Sequence, residues 1–277
     1  MTRANKLFEG LRFVTLGILI IAVLFPVYWM VSSSLKPATE LFQSNPTLIP
    51  KSFSLDWYRS IINQSNVQRY FINSLIVAFS TMCISIAVTT LGAYSLTRFD
   101  FCGKKVILLS ILLSYIFPPI LLMLPLYSTL SKLGLVDSYM GVILTHTTVV
   151  IPFSLWILKS YFKNVPVELE EAGLIDGLSR LGAFWRVIVP VTASGILSVG
   201  LFSFILSWNE YLYASVFLTG PQFKTLPIGI TEFIAQYDVR WGEIMATSVV
   251  TAAPILVIFI CMQKYFVQGL TAGAVKQ

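Results

Sequence analysis

With 277 residues, 56% of them hydrophobic and only 12% charged, the chain falls far below the roughly 25% charge of a soluble domain. Lys and Arg exceed Asp and Glu by 19 to 13, for a net charge of +6, but no Lys/Arg run exists to support a nucleic-acid role. The three cysteines, Cys83, Cys102 and Cys261, show neither metal-ligand spacing nor a disulfide framework.

The apolar residues come in runs free of charge. Arg12 and Lys36 enclose 23 uncharged residues, Arg69 and Arg98 enclose 28, and Lys105 and Lys132 enclose 26. Asp137 and Lys159 enclose 21, Arg186 and Glu210 enclose 23, and Glu243 and Lys264 enclose 20. A bilayer core takes about 20 apolar residues per helix. The pattern predicts an all-α membrane protein with six transmembrane helices, at about 12–34, 70–97, 106–130, 139–161, 190–218 and 243–264. They form one membrane domain over 1–277, with no soluble domain. The first run exceeds the apolar core of a signal peptide, about 7–15 residues, and no clear Ala-x-Ala site follows. It reads as an uncleaved span.

Orientation follows from the flanking Lys and Arg. With both termini cytoplasmic, 12 of the 19 basic residues lie inside, among them Arg98, Lys104, Lys105, Lys159, Lys163, Arg180 and Arg186. Residues 35–69 and 219–242 are then extracytoplasmic loops, 162–189 a cytoplasmic loop and 265–277 a cytoplasmic tail. Arg98–Lys105 and Lys132–Asp137 are tight turns built on Gly103 and Gly134. Pro118, Pro119 and Pro125 must distort the third span, because proline removes a backbone donor. No internal repeat of the kind found in many secondary carriers is visible.

The 162–189 loop is the long charge-rich segment between spans. Pro166 suits a first helical turn, and Glu168, Glu170 and Glu171 favour the positive end of that helix. Glu168, Glu171 and Ala172 share one face. Ala172 and Gly173 keep the surface thin enough for another protein to approach. Asp176-Gly177 is a turn, with Gly177 free to take a positive φ. Ser179 caps a second helix carrying Leu181, Phe184, Trp185 and Ile188, which stops before Pro190.

This segment resembles the EAA loop of ATP-binding-cassette (ABC) importer permeases. Glu171-Ala172-Gly173 is followed by three residues and Gly177, then nine residues, then Val187-x-Val189-Pro190. Gly173 replaces the second Ala of that pattern. Other stretches are similar to the second permease of maltose-type systems: Ser207-Trp208-Asn209-Glu210-Tyr211, Thr225-Leu226-Pro227 and Gly269-Leu270-Thr271-Ala272-Gly273-Ala274-Val275-Lys276. The resemblance covers essentially the whole chain.

The resemblance implies a MetI-like permease fold in a bacterial inner membrane. It implies a heterodimer with a second permease, two ATPase subunits, an extracytoplasmic solute-binding protein and a sugar or oligosaccharide as substrate. ATP and Mg would be bound by the ATPases. No G-x-x-x-x-G-K-[ST] stretch, nucleophile pair or metal set occurs here, so this chain is expected to bind no cofactor and to be no enzyme. ATPase coupling falls to Glu168, Glu171, Ala172, Gly173, Asp176, Gly177 and Pro190. Gly269, Thr271, Gly273 and Lys276 would carry the tail between the ATPases. Candidates for the substrate path are Trp208, Asn209, Glu210, Tyr211, Tyr115 and His146.

Glu210 is an acidic residue deep in an apolar stretch, and such residues face a bundle interior or a wet cavity. It either lines the path or ties helices together; the same alternatives hold for His146. A phosphorylated, sulfonated or polyol substrate is a second reading. An ion-coupled carrier is a third, with only Glu210 and His146 as its ionisable groups within the spans.

Overall fold

The computed structural model describes the backbone of residues 3–63, 66–234 and 239–274, and the side chains of that set other than 3–8, 10 and 262–274. Among the described residues the only β pairing is an isolated bridge between Ile234 and Val239. The rest is helix and connection: α1 (Arg3–Ser34), α2 (Ala38–Leu41), α3 (Asp56–Asn63), α4 (Val67–Arg98), α5 (Lys104–Ile116), α6 (Pro119–Lys132) and α7 (Tyr139–Lys163). There follow α8 (Val167–Ile175), α9 (Arg180–Ala183), a π turn (Phe184–Ile188), α10 (Val189–Val191), α11 (Ala193–Trp208), α12 (Leu212–Phe217), α13 (Leu226–Thr231) and α14 (Trp241–Ala274).

Four helical stretches are long and apolar enough to cross a membrane: Leu11–Ser34, Val67–Arg98, Tyr139–Lys163 and Trp241–Cys261. Two bent pairs bring the number to six if each is one span. The third predicted span is α5 and α6, which meet at 106°. Phe117 and Pro118 are extended there, as a residue preceding proline tends to be. The fifth is less simple than expected. The helix of the loop does not stop before Pro190 but runs through it to Val191, then turns by 76° at Thr192 into α11. Pro190 has no N–H to continue the ladder, and the π turn just before it is the irregular helix such an interruption favours. The freed chain is held by Thr192, whose Oγ1 donates to Ile188 O at 2.8 Å.

The chain groups into two compact units, residues 1–68 with 229–253, and residues 69–228 with 254–277. In the first, the part of α1 from Phe13 to Val31 is apolar on nearly all sides, the pattern of a span. Its following segment, read from sequence as a loop, is folded around buried charges. Lys36 is buried, donates from Nζ to Thr47 O, and lies 4.5 Å from the centre of the Trp29 ring. Glu40 is also buried and accepts from the Thr47 hydroxyl and from Lys51 N at 3.0 Å. The Thr47 hydroxyl, more than any other contact, holds its carboxyl below the usual carboxylate range. Trp57 donates from Nε1 to Lys36 O at 2.7 Å.

In the second unit, α7 packs along α11. Gly195 permits the approach: a Cβ built there would sit 2.5 Å from Tyr161 Cγ. Small residues at such crossings are how membrane helices pack closely. One buried cluster joins Tyr94 and Ala93 of α4, Leu158 and Phe162 of α7, and Phe184 and Ile188 of the π turn. A second joins Val142 and Ile143 of α7 to Tyr213 and Phe217 of α12.

Gly195→Ala should force α7 and α11 apart and lower the apparent Tm of the detergent-purified protein by several degrees, in line with an overpacking cost of about 1–3 kcal/mol. Gly17→Ala, where a Cβ would meet nothing within 4 Å, is the matched control and should leave Tm unchanged. Equal shifts for the two variants would contradict this packing.

Candidate functional site

The segment from Pro166 to Val191 is a helical hairpin with two different faces. Glu168 and Glu170 occupy the first turn of α8, where the unpaired N–H groups favour negative charge. Gly177 has φ +87°, a left-handed conformation that ends α8, and Leu178 N donates back to Gly173 O at 3.0 Å. Ser179 then caps α9, its Oγ accepting from Gly182 N at 3.1 Å. These are the turn and cap expected from Asp176-Gly177 and Ser179.

The inner face holds Gly173, Phe184 and Ile188, all buried. Gly173 was expected on the outer surface. Instead it lies inside the hairpin, where a Cβ would stand 3.4 Å from Val187 Cγ2 and 3.7 Å from Ala183 Cβ. Its small size closes the two arms of the hairpin on each other, so the thin outer surface rests on Ala172 alone. The outer face shows Glu168, Glu171, Ala172, Asp176 and Gly177. Beside them stand three large apolar side chains, Ile175 at 86% exposure, Leu181 at 64% and Trp185 at 56%. Acidic and large apolar side chains are thus exposed together on one short hairpin. Pro190 lies behind it, at the passage from the π turn to α10.

Glu170 stands apart from the other glutamates of α8. It is buried, while its neighbour Glu171 is exposed. Its carboxylate accepts from Tyr94 Oη at 2.5 Å and from Arg98 Nε at 3.0 Å. Arg98 also donates from Nη2 to Val165 O at 3.0 Å. The sequence signal was the spacing: successive helical residues point about 100° apart, so two adjacent glutamates cannot both face a partner.

The second candidate region is the end of α11. The helix stops at Trp208, and Asn209–Tyr211 form a break before α12. Glu210 caps the new helix, accepting from Tyr213 N at 2.8 Å and Ala214 N at 2.9 Å. It also meets His146 Nε2 at 2.9 Å, and His146 Nδ1 meets Ser207 Oγ at 2.8 Å. His146 is fully buried, and both of its ring nitrogens are used. Of the two alternatives left by the sequence, the geometry supports the tie: Glu210 and His146 hold the break together. Tyr213 extends the tie to the other broken span, donating to Pro119 O at 2.8 Å.

Trp208, one of the candidates for the substrate path, is enclosed. It is buried, with its ring stacked on Phe204 at 5.6 Å and set edge-on to Phe71. Asn209 and Tyr211 are exposed, Asn209 Nδ2 donating within its own helix to Ile205 O at 2.9 Å. Tyr115 on α5 is also exposed and stacks on Phe153, with ring planes 17° apart. The exposed polar groups of this set are therefore Asn209, Tyr211 and Tyr115. At the tail, Gly269, Thr271 and Gly273 lie on the helical backbone of α14. Their side-chain surroundings, and Lys276 entirely, fall outside the described residues.

The loop following α12 is fastened at one end by Asp137 and at the other by Asn73 and Ser74. Asp137, at φ 56°, accepts from Thr219 N at 2.6 Å, Thr219 Oγ1 at 2.5 Å and Gly220 N at 2.8 Å. The Gly220 N–H, above all, holds its carboxyl below the usual range. Asn73 bonds a neighbouring helix, its Oδ1 accepting from Tyr139 Oη of α7 at 2.7 Å. It donates to Gln222 O and Lys224 O, while Ser74 Oγ accepts from Leu226 N. Both residues secure a loop.

Residues 86–272 match the family model described as binding-protein-dependent transport system inner membrane component. The inner membrane ABC transporter permease protein YcjP of Escherichia coli is 38% identical over 263 residues, covering 94% of each chain. The trehalose/maltose transport system permease protein MalG of Thermococcus litoralis is 34% identical over 271 residues, covering 94% of this chain and 95% of that one. Among solved structures, a chain of a bacterial ABC transporter involved in import of the acidic polysaccharide alginate superposes with a TM-score of 0.85, covering 96% of this chain and 99% of that one at 22% identity. At that identity the likeness speaks for the fold, which is the MetI-like permease fold.

Removing His146 leaves Glu210 and Ser207 without their partner. His146→Ala should lower the apparent Tm by several degrees, matching the roughly 1–3 kcal/mol cost of an unsatisfied buried polar group. Asn209→Ala should leave it unchanged. A His146→Ala protein as stable as the parent would remove the tie.

Proposed function

The chain belongs to the family of binding-protein-dependent transport system inner membrane components, and on that premise we propose that it is one permease subunit of an ATP-driven importer of a sugar or oligosaccharide. It is a multi-pass inner-membrane transport subunit, and members of this family are not themselves enzymes. The observation that carries the finer reading is the outer face of the 166–191 hairpin. Glu171 stands among exposed Ile175, Leu181 and Trp185 on a hairpin whose other side is anchored by Phe184 and Ile188. Such a face suits a cleft on a separate ATPase, with Glu171 meeting a basic residue there. Exposed apolar side chains give the area of contact and the carboxylate gives its register.

In this reading a second permease completes the path, two ATPase subunits bind ATP and Mg, and a solute-binding protein delivers the sugar from outside. Both termini, the 98–105 turn and the hairpin then lie in the cytoplasm. The fastened 219–228 loop faces the binding protein. ATP binding closes the ATPases, and the closure reaches the spans through the hairpin. The loaded binding protein acts by favouring one state over the other. The sugar class is supported by the trehalose/maltose permease relative and by exposed Tyr211, Tyr115 and Asn209, since flat aromatic faces and amides suit sugar rings.

Glu171→Lys should leave the amount of the chain in the membrane unchanged. The ATPase recovered with it by affinity purification should fall at least tenfold, and growth on the transported disaccharide should be lost. Unchanged ATPase recovery with unchanged growth would overturn the coupling face. Growth of a deletion strain on maltose, trehalose and related oligosaccharides as sole carbon source checks the substrate class: loss of growth on at least one is expected, and full growth on all contradicts it.

A further inference from the structure

We propose that Glu170, Arg98 and Tyr94 form a latch that makes the hairpin move as one body with α4, so that a displacement at the exposed Glu171 face is delivered to that span. This rests on the coupling reading above and adds the route by which force leaves the hairpin. The three residues are positioning residues. None of them reaches the outer face.

The geometry separates this cluster from ordinary packing. Arg98 and Glu170 form an ion pair at 3.0 Å with side-chain exposures of 7% and 6%. A buried pair is costly unless the remaining hydrogen-bonding capacity of both groups is used, and losing one partner leaves an uncompensated charge. Here it is used in two directions. Glu170 accepts from Tyr94 as well as Arg98, so the body of α8 is tied to α4 twice. Arg98 donates to Val165 O, the carbonyl immediately before Pro166, so the entry to α8 is tied to α4 as well.

Tyr94 links this to the second arm of the hairpin. Its ring lies 4.7 Å from that of Phe184 in the π turn and 6.4 Å from that of Phe162 in α7. One residue of α4 thus holds α8 through its hydroxyl and the π turn through its ring. The hairpin is covalently continuous with α7 on one side and α11 on the other. Without the latch, its connection to α4 would be apolar contact and the Arg180 guanidinium 5.7 Å from the Phe99 ring just past α4, which slide more readily than directed bonds. With it, α4 receives the same displacement as α8. The two adjacent glutamates divide the work between them, Glu170 facing the span and Glu171 facing outward.

The test is a distance measurement by electron paramagnetic resonance in the full transporter complex. The exposed cysteines Cys83, Cys102 and Cys261 are first replaced by serine. Spin labels are placed at Ile175→Cys on α8 and Leu91→Cys on α4, both exposed positions. The probes are nucleotide-free complex and complex trapped with ATP and vanadate. The latch predicts the same label separation in both states. In Glu170→Gln it should broaden and shift by several ångströms on trapping, and Tyr94→Phe should show a smaller shift.

A parent separation that changes on trapping, or a Glu170→Gln separation that stays fixed, would overturn the latch. If Glu170→Gln does not assemble, Tyr94→Phe and the parent comparison still decide. The single label at Ile175 tests the underlying reading separately. It should lose mobility when the ATPase is present, and an unaffected label would sink the coupling face whatever the distance shows.

Discussion

Inside a bilayer no water is available to a backbone N–H or C=O, so a broken membrane helix must find its partners within the protein. Two of the candidate spans in this chain are bent helix pairs, and much of its polar chemistry answers that constraint. Glu210 supplies the acceptor for the first N–H groups of α12. Tyr213, in that same helix, donates to Pro119 O at the broken third span. Groups that look like candidates for substrate chemistry in the sequence are largely used in holding the breaks. His146 and Glu210 are the clearest instance, since each satisfies the other and a further group.

The same constraint on polar groups shapes the 166–191 hairpin. Its charged residues are not a solvated surface but two sets with opposite directions. The inward set, Glu170 with Arg98 and Tyr94, is buried and mutually hydrogen-bonded. The outward set, Glu168, Glu171 and Asp176, is exposed beside large apolar side chains. Gly173 lets the two arms close, and Gly177 reverses the chain between them. A hairpin rigid on one side and open on the other is suited to passing on a push from a partner.

Fold class was legible in the sequence because hydrophobic runs of bilayer length carry little ambiguity. Helix ends at Arg98, Lys132, Lys163 and Ile175 followed from charge, Gly103, Gly134 and Gly177. The break in the third span followed from Pro118 and Pro119. The extension of the hairpin helix through Pro190 did not, because a π turn lets proline sit where a regular helix would stop. The folding of residues 36–57 around Lys36 and Glu40 was hidden too, since buried ion chemistry in a loop has no periodic signature. At the candidate site, the capping turn and exposed Glu171 were visible, and the burial of Trp208, Gly173 and Glu170 was not. Each depends on which neighbour a face meets, and that is fixed by tertiary contacts such as Phe204, Val187 and Arg98.

The central claim is that this chain works only as part of an ATP-driven assembly. Purifying the tagged chain in mild detergent from its native membrane, and identifying what comes with it by mass spectrometry, tests that most directly. The account predicts recovery of an ATPase bearing a G-x-x-x-x-G-K-[ST] loop and of a second permease, each in stoichiometric amount. A folded, monodisperse chain recovered alone would contradict it and move the weight to a carrier that needs no ATPase.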